Sequence, residues 1–503
     1  MDRRVVSLAA VFASMVLVGG NASLRSAPGP RPPEHGKVVR RLLIDNATVI
    51  YGSGKPPFGP VDLLVEDGRI ARVALDGSIV DADAVIDATG KYVLPGLVDT
   101  HMHWHDERGG VPQPVQYERN LYLAAGVTTT RELGGDFIKS KRWQSEAARQ
   151  VAPSPRMLVY WVVTNVDTVT ADTLRASVRE AKERGADGLK VFGMDRDQLR
   201  AVMAEAHLQG LRTAAHIGVE ETTAKDFIEL GVDSIEHFYG VADAALDGSQ
   251  RFPPHMNYSD EALRFGHAGE LYAQANPAKL ARLVDLMVEK HVAWSPTLSI
   301  YEANRDLTRA RSQPWFHELL HPALEAFFAP NPDHHGSYFQ QWTNTQEVRW
   351  RENYRIWMEA LKAFGSKGGL ITTGDDAGYI YSMYGFGLSR ELELHEEAGF
   401  HPLDVIAHAT ANGAELLGLA DEIGRVRQGF IADLIVVDGN PLENLRVLYP
   451  TGSDPLAGLA GRRDGIEWTI KDGIPYHVPT LLAETRAMVE RARHERRPPT
   501  AGQ

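Results

Sequence analysis

Two histidines one residue apart, His101 and His103, end an apolar run in this chain of 503 residues. Side chains at positions i and i+2 of a β-strand lie on the same face, so two imidazoles in such a pair can bind one metal ion. The preceding run is typical of a strand buried on both faces and contains Val93, Leu94, Leu97 and Val98. The pair predicts a metal site at the end of a strand, with an ordinary loop carrying two histidines as the alternative.

Other residues that can bind a metal end similar apolar runs further along the chain. They are Lys190, His216, His237 and the adjacent pair Asp375 and Asp376. A lysine inside an apolar strand is costly unless it is neutral or paired. Each residue alone also has a structural interpretation: a hydrogen-bonded histidine, a lysine paired with a carboxylate such as Glu236 or Asp375, or an aspartate that caps a turn.

The elements that must position these residues alternate between strands and amphipathic helices, as in a parallel α/β protein. We predict eight strands, at residues 94–102, 127–132, 156–163, 188–192, 213–217, 234–238, 292–298 and 370–376. Helices are predicted between most of them, for example at 171–184, 197–209 and 220–230. Eight such units predict a (β/α)8 TIM barrel. The long segments that follow His237 and Leu298 predict lids or substrate walls.

Every candidate ligand therefore falls at the carboxyl end of a predicted strand, where barrel active sites lie. Because neighbouring strand residues face opposite ways, only one of Asp375 and Asp376 should point inward. Four histidines, one lysine and one aspartate at five strand ends together predict a metal site. We interpret the histidines away from the strand ends as surface or loop residues: His105, His207, His255, His267, His334 and His335.

The two ends of the chain are rich in short strands and turns. Strands are predicted at 41–50, 61–66 and 69–74, and again at 425–426, 432–437 and 467–471. We expect residues 41–93 and 421–478 to form one small β-sandwich domain, residues 94–420 the barrel, and residues 479–503 a C-terminal tail. Residues 23–40 are Pro-rich and predict a disordered leader.

Composition and charge exclude several classes of protein. A net charge of −13 without a basic stripe argues against a nucleic-acid partner. The absence of cysteine limits any metal site to nitrogen and oxygen ligands. Arg3 and Arg4, an apolar run over 5–18 and small residues up to Ala22 predict a signal peptide at 1–22. We therefore expect a periplasmic or secreted protein with no membrane attachment after the signal is removed.

The ordered set His-x-His, Lys, His, His, Asp resembles the metal-dependent amidohydrolase superfamily. Residues 93–101 resemble the strand by which that family enters its barrel, and residues 429–442 resemble its return into the β-domain. The resemblance covers nearly the whole mature chain. The position of Lys190 is most similar to the Xaa-Pro and Xaa-Arg dipeptidase branch, and a similar arrangement occurs in amidases that act on acylated amino acids. Imidazolonepropionase-like members resemble the overall layout but lack the lysine.

The resemblance implies a set of ligands for two divalent metal ions, with zinc expected. One ion would be bound by His101, His103 and Asp376 and the other by His216 and His237, with Lys190 bridging them as a carboxylated lysine. The family pattern at the last strand is Gly-Thr-Asp, which aligns Asp376 with the catalytic aspartate. Asp375 departs from the usual threonine, and this leaves the choice between the two aspartates open.

The resemblance also implies hydrolysis of an amide-type C–N bond by a metal-bridging hydroxide, with Asp376 as general base and then general acid. The expected substrate is a small peptide-like molecule, either a dipeptide or an N-acyl amino acid, and a homo-oligomer is possible. Tyr239 could bind a substrate carboxylate or simply pack at the rim. A lactonase or phosphotriesterase on the same site, and a non-catalytic metal-binding protein, remain as alternatives.

Overall fold

The computed structural model describes residues 31–75, 77–79, 81–164, 170–218 and 221–496. The expected signal peptide and much of the leader lie outside these residues, so export stays a prediction. Within the described residues the strands are β1 (Arg41–Val49), β2 (Phe58–Glu66), β3 (Arg69–Leu75), β4 (Ala84–Asp87), β5 (Tyr92–Pro95), β6 (Leu97–Met102), β7 (Glu107–Arg108), β8 (Val111–Pro112), β9 (Val127–Glu132), β10 (Arg156–Val163), β11 (Gly188–Phe192), β12 (Arg212–His216), β13 (Ser234–Glu236), β14 (Ala293–Ser295), β15 (Leu434–Asp438), β16 (Gly465–Lys471) and β17 (Ile474–His477).

Seven parallel strands form a nearly closed barrel in the order β14-β13-β12-β11-β10-β9-β6. The predicted eighth strand, residues 370–376, closes the gap as extended chain with only one β-bridge, from Ile371 to Trp294. It is hydrogen-bonded on both sides. The Thr372 amide donates to the Trp294 carbonyl at 3.0 Å, and the Thr100 amide donates to the Thr373 carbonyl at 2.8 Å. The (β/α)8 TIM barrel fold is therefore confirmed, with an irregular last strand.

The α-helices lie between and after these strands, and several of them cover the outside of the barrel. They are α1 (Val115–Ala124), α2 (Phe137–Ala148), α3 (Ala171–Glu183), α4 (Arg196–Gln209), α5 (Ala224–Glu229), α6 (Glu261–Ala268), α7 (Leu271–Gln274), α8 (Pro277–Glu289), α9 (Glu302–Arg305), α10 (Leu307–Arg311), α11 (Phe316–Leu319), α12 (Pro322–Phe327), α13 (Asn344–Ser366), α14 (Phe386–Glu397), α15 (Pro402–Ala407), α16 (Gly413–Leu416) and α17 (Val478–Glu495). Local sequence sets their ends. The Thr170 side chain caps α3, for example, and Thr343 with Gln346 forms a capping box on α13.

The two ends of the chain build one eight-stranded, sandwich-like sheet in the order β17-β16-β15-β5-β1-β2-β3, with β4 paired to β1. Two local predictions were wrong. The segment predicted as one strand over 94–102 divides at Gly96 into β5 of this sheet and β6 of the barrel. A side chain at Gly96 would lie 2.2 Å from the Thr128 hydroxyl, so only glycine permits this crossing. The strand predicted at 425–426 does not form; Arg425 lies in a bend, and the Val426 amide donates a hydrogen bond to the Tyr51 carbonyl.

The described part of the C-terminal tail is helical. Helix α17 packs against α1 and α11, and Arg493 donates to the His317 carbonyl at 2.8 Å and the Leu320 carbonyl at 3.2 Å. None of the helices in the described ranges combines the length and the apolar character needed to span a bilayer.

Candidate metal centre

Six predicted side chains meet at the carboxyl end of the barrel, and we call them the strand-end ring. They are His101 and His103 at the end of β6, Lys190 on β11, His216 at the end of β12, His237 after β13, and Asp376 in the closing segment. All but the fully buried His101 line a cavity of about 550 Å³. The cavity places them in one environment that is open to a small molecule.

Asp376 is the centre of the ring. Its Oδ1 lies 3.0 Å from His103 Nε2 and 3.8 Å from His101 Nε2, and its Oδ2 lies 3.9 Å from His237 Nδ1. One nitrogen or oxygen atom from each of His101, His237 and Asp376 falls within 4.8 Å of the others, close enough to share one cation. The strand ends thus converge on a group that could bind a metal.

Three of the histidines are fixed in orientation by a partner behind them. His101 Nδ1 lies 2.8 Å from Glu236 Oε2, and His103 Nδ1 lies 3.2 Å from Glu132 Oε1. His237 Nδ1 lies 2.6 Å from the Thr297 hydroxyl. A carboxylate or hydroxyl on one ring nitrogen fixes the tautomer and leaves the other nitrogen available as a metal ligand.

Sequence reasoning missed this supporting layer. Glu236 also accepts a 2.7 Å hydrogen bond from the fully buried Arg131, and Arg131 donates to the Ser234 hydroxyl at 3.1 Å. A buried ion pair of this kind is costly to break, because removing one partner leaves an uncompensated charge. The sequence did contain an indication of this layer, because charged residues stand inside two short buried strands, β9 and β13.

His216 and Lys190 complete the ring on its other side. His216 Nδ1 is buried and has no hydrogen-bond partner among the described residues, an unusual state for an imidazole that is not a ligand. Lys190 Nζ lies 3.4 Å from His101 Nε2 and, among the described residues, forms no ion pair with Glu236 or Asp375. The alternative in which Lys190 forms a salt bridge with Glu236 or Asp375 is therefore wrong.

Electrostatics favour the neutral, ligand-competent form of three of the four histidines in the ring. Burial, followed by the charge of Lys190, holds the pKa of His101 well below its usual value, and burial does the same for His216 and His237. For His103 the bonds to Asp376 and Glu132 outweigh burial and raise the pKa. Burial also lowers the pKa of Lys190. Neutral imidazoles are the form that binds metals.

The two adjacent aspartates lie in different environments, as the strand alternation predicts. Asp376 faces the cavity, whereas Asp375 is fully buried behind it and accepts hydrogen bonds from the Tyr122 hydroxyl (3.0 Å) and the Gly385 amide (3.1 Å). Burial raises the pKa of Asp375 to about 7. Asp99 lies beside Asp375, and burial and that neighbour raise its pKa too. The geometry thus favours Asp376 as the ligand.

Long insertions after β13 and β14 cover the cavity, and we call their cavity-lining residues the cap. These are Tyr258, Glu261, Arg264, Phe265, Tyr301 and His335. The prediction that the insertions wall the site is confirmed, but the interpretation of His335 as a surface or loop residue away from the site was wrong. It lies in the cap because its loop folds back over the barrel, where His335 Nδ1 reaches Glu261 Oε1 at 2.7 Å.

The structure also bears on the predictions for Tyr239 and His105. Tyr239 lines the cavity with its hydroxyl buried and unpartnered within the described structure, 6.1 Å from His216 between ring centroids. His105 is not at the surface. It lies behind the site, where its Nε2 is 3.3 Å from the Tyr379 hydroxyl and its Nδ1 is 3.2 Å from the Tyr384 hydroxyl.

The donor set fits a divalent cation. The ring offers imidazole nitrogens and a carboxylate, including a buried His216 nitrogen that no described residue hydrogen-bonds, and the chain contains no thiol. Such ligands suit zinc and other first-row divalent ions. Three non-glycine residues at the site, His237, Thr297 and Asp376, also have left-handed backbone with φ of 64°, 48° and 46°. Strain of this kind concentrates at functional sites.

Comparison with known proteins assigns the chain to a protein family. The profile described as "Amidohydrolase family" matches residues 92–461, well over half of the chain. An uncharacterized protein of Mycobacterium tuberculosis is 30% identical over 262 residues, which span 45% of this chain and 68% of that protein. D-hydantoinase of Geobacillus stearothermophilus is 29% identical over 170 residues, spanning 33% of this chain and 34% of that enzyme.

A similar solved structure is that of a Xaa-Pro dipeptidase with methionine bound in its active site. It covers 87% of this chain and 100% of its own length with a TM-score of 0.60 and 20% sequence identity. At 20% sequence identity this structural similarity supports the assignment of the fold alone.

Proposed function

Because the chain belongs to the amidohydrolase family, we propose that this hydrolase uses divalent metal ions to cleave an amide-type C–N bond in a dipeptide or an N-acyl amino acid. The observation that carries the proposal is the strand-end ring, in which Asp376 lies 3.0 Å from His103 Nε2 beside histidines tethered from behind. The names of the hydantoinase and of the dipeptidase structure, both concerned with amide-type bonds, support the reaction class.

We propose that the ring binds two divalent ions, most simply zinc. His101, His103 and Asp376 would hold one ion, and His216 and His237 the other. Ions bound there would polarise the scissile carbonyl and lower the pKa of the water that attacks it. The tethers from Glu236, Glu132 and Thr297 would keep the ligating nitrogens aimed at the cavity.

Lys190 would bridge the two ions as a carboxylated lysine. Its amine is buried, and burial lowers its pKa, which favours the neutral amine that adds carbon dioxide. In this addition the nitrogen lone pair bonds to carbon, one proton leaves, and the side chain becomes an anion. The modification also explains how a lysine is tolerated beside His101 without an ion pair, because an anion replaces the ammonium group.

Asp376 would move the proton during hydrolysis. Its carboxylate faces the cavity and is partly accessible, with 13% of the side chain exposed. It would accept a proton from the attacking water as the C–O bond forms and deliver that proton to the leaving amine as the C–N bond breaks. The buried Tyr239 hydroxyl, which has no hydrogen-bond partner in the described structure, would bind substrate.

The expected periplasmic or secreted location also remains a proposal. A reporter that is active only after export should give signal when it is fused to residues 1–22 or to the whole chain. It should give no signal when it is fused to a chain that lacks residues 1–22. Size-exclusion chromatography with light scattering would test the possible homo-oligomer.

The function is tested by an activity panel on the purified, metal-analysed protein. The panel contains dipeptides, N-acyl amino acids, lactones and phosphotriesters, each with untreated, chelated and Zn²⁺- or Mn²⁺-restored enzyme. We expect turnover of an amide substrate that chelation abolishes and metal restores. Preference for a lactone or phosphotriester would replace the proposed reaction, and stoichiometric metal with no turnover of any compound would favour a metal-binding protein.

A further inference from the structure

The cap places one guanidinium inside the cavity, and its surroundings indicate a binding role. Arg264 lies on α6, which the Asp260 side chain caps at its start. The guanidinium carbon lies 5.1 Å from the Tyr258 ring centroid and 4.9 Å from that of Phe265. Its side chain is only 21% exposed, so the charge is held within the cavity wall.

The guanidinium is fixed in place but largely unused. Arg264 donates from Nη2 to Glu261 Oε1 at 3.0 Å, and the same oxygen lies 2.7 Å from His335 Nδ1. A guanidinium carries five N–H donors, and among the described residues only this one hydrogen bond is made. Glu261 Oε1 contacts both Arg264 and His335, so it orients the guanidinium, whose other N–H donors make no hydrogen bond to the described residues.

Arg264 and five residues of the strand-end ring line the same cavity. A small molecule that contacts the ring within this cavity of about 550 Å³ can therefore contact Arg264 at the same time. The planar fork of an arginine matches the two oxygens of a carboxylate and binds them in a bidentate manner.

We propose that Arg264, oriented by Glu261 and His335, binds a carboxylate of the substrate while the scissile amide lies at the strand-end ring. This inference rests on the proposed function and assigns a specificity-determining residue to it. The carboxylate is either the α-carboxylate of the released amino acid or an acidic side chain. In both cases a neutral analogue lacks the group that Arg264 recognises.

The test compares substrates that differ only in this group. N-acetyl-leucine carries an α-carboxylate, N-acetyl-leucinamide carries none, and N-acetyl-glutamate α-amide carries a side-chain carboxylate only. Arg264→Met should raise KM for a carboxylate-bearing compound by about ten- to a hundredfold, the effect of losing charged hydrogen bonds, with little change in kcat. KM for N-acetyl-leucinamide should not change. Arg264→Lys should restore part of the affinity, because it keeps the charge without the fork.

Arg349→Met is the matched control. Arg349 lies outside the cavity, half exposed and paired with Glu270, and its loss should leave all three KM values unchanged. An equal change in KM for acid and amide on Arg264→Met would assign the residue a structural role and overturn the proposal, and so would no change for any compound.

A binding measurement separates this inference from the proposed reaction. Calorimetry with N-acetyl-leucine and N-acetyl-leucinamide needs no turnover. Tighter binding of the acid, lost in Arg264→Met, would support the subsite even if no compound is hydrolysed. Equal binding of acid and amide by the wild-type protein would overturn it even if amides are hydrolysed.

Discussion

The strand-end ring and the cap face the same cavity but are positioned in different ways. Ring residues such as His103 and His216 lie at the ends of buried parallel strands, so the backbone ladder places them and a carboxylate or hydroxyl behind them fixes several of them. Cap residues such as Arg264 and His335 lie on short helices and loops and orient one another. The difference suggests that the ring determines whether chemistry occurs and the cap determines which substrate undergoes it.

Loss of the proton carrier should have the largest effect. Asp376→Asn keeps an oxygen near His103 but cannot accept a proton, so kcat should fall by about 10²–10⁴-fold. Most of the bound metal should remain, as measured by elemental analysis. Asp106→Asn, at an exposed aspartate paired with Lys139, is the control. Full activity in Asp376→Asn would remove this residue from the reaction.

The buried carboxyl pair behind the ring should make stability depend on pH. Asp99 Oδ2 has no donor in the described structure, and the two neighbouring carboxyl groups can form a hydrogen bond only if they share a proton. The pKa of Asp375 is raised to about 7 by burial, so the folded chain holds a proton that the unfolded chain has lost. The free energy of unfolding should therefore fall as pH rises from about 4 to about 7, by at most about 4 kcal/mol.

Asp99→Asn places an amide N–H donor beside the Asp375 carboxylate, and it should reduce this decline although Asp375 stays buried. Urea unfolding of chelated protein from pH 4.5 to 8.5 measures the difference between variant and wild type, so that other titrating groups cancel. Parallel pH profiles for the two proteins would contradict a shared proton.

Substitutions of opposite charge at Lys190 distinguish its proposed role as a bridging anion from that of a structural cation. Lys190→Arg keeps a positive charge that cannot be carboxylated, whereas Lys190→Glu supplies a shorter carboxylate. Both should lose activity, but Lys190→Glu should bind the metal at least about tenfold more tightly than Lys190→Arg. The same two changes at the exposed Lys139 should not alter metal affinity. Better function of Lys190→Arg would support the structural cation.

The smallest effect is expected at the start of the cap helix. The Asp260 side chain accepts a 3.2 Å hydrogen bond from the Leu263 amide, and Asp260→Ala should cost α6 about 1 kcal/mol. Substrate KM should rise about two- to fivefold, while metal content and kcat stay constant. Asp195→Ala provides a matched control, because Asp195 precedes α4 without a side-chain cap bond. A fall in metal content in Asp260→Ala would mean that the cap also supports the ring.

The ring was predictable because its residues lie at the ends of strands that the periodicity of the sequence predicts. The predicted bounds of β9, β10 and β11 agree with the structure. Strand alternation required that only one of Asp375 and Asp376 face the cavity, and the resemblance to the family pattern selected Asp376. The cap was not predictable in the same way, since no period in the sequence relates Arg264 to His335, 71 residues apart. The tether from Glu236 to His101 and the crossing at Gly96 likewise depend on tertiary contacts between distant segments.

The central claim, metal-dependent amide hydrolysis at the strand-end ring, is tested most directly by a metal titration. Chelated wild-type protein is titrated with Zn²⁺ while hydrolysis of the best amide substrate of the panel is followed, and His237→Ala is titrated alongside. We predict activity that rises with bound metal and saturates at two equivalents per chain, and a loss of both activity and stoichiometry in the variant. Full amide hydrolysis by the metal-free protein, or unchanged titration of His237→Ala, would contradict the account.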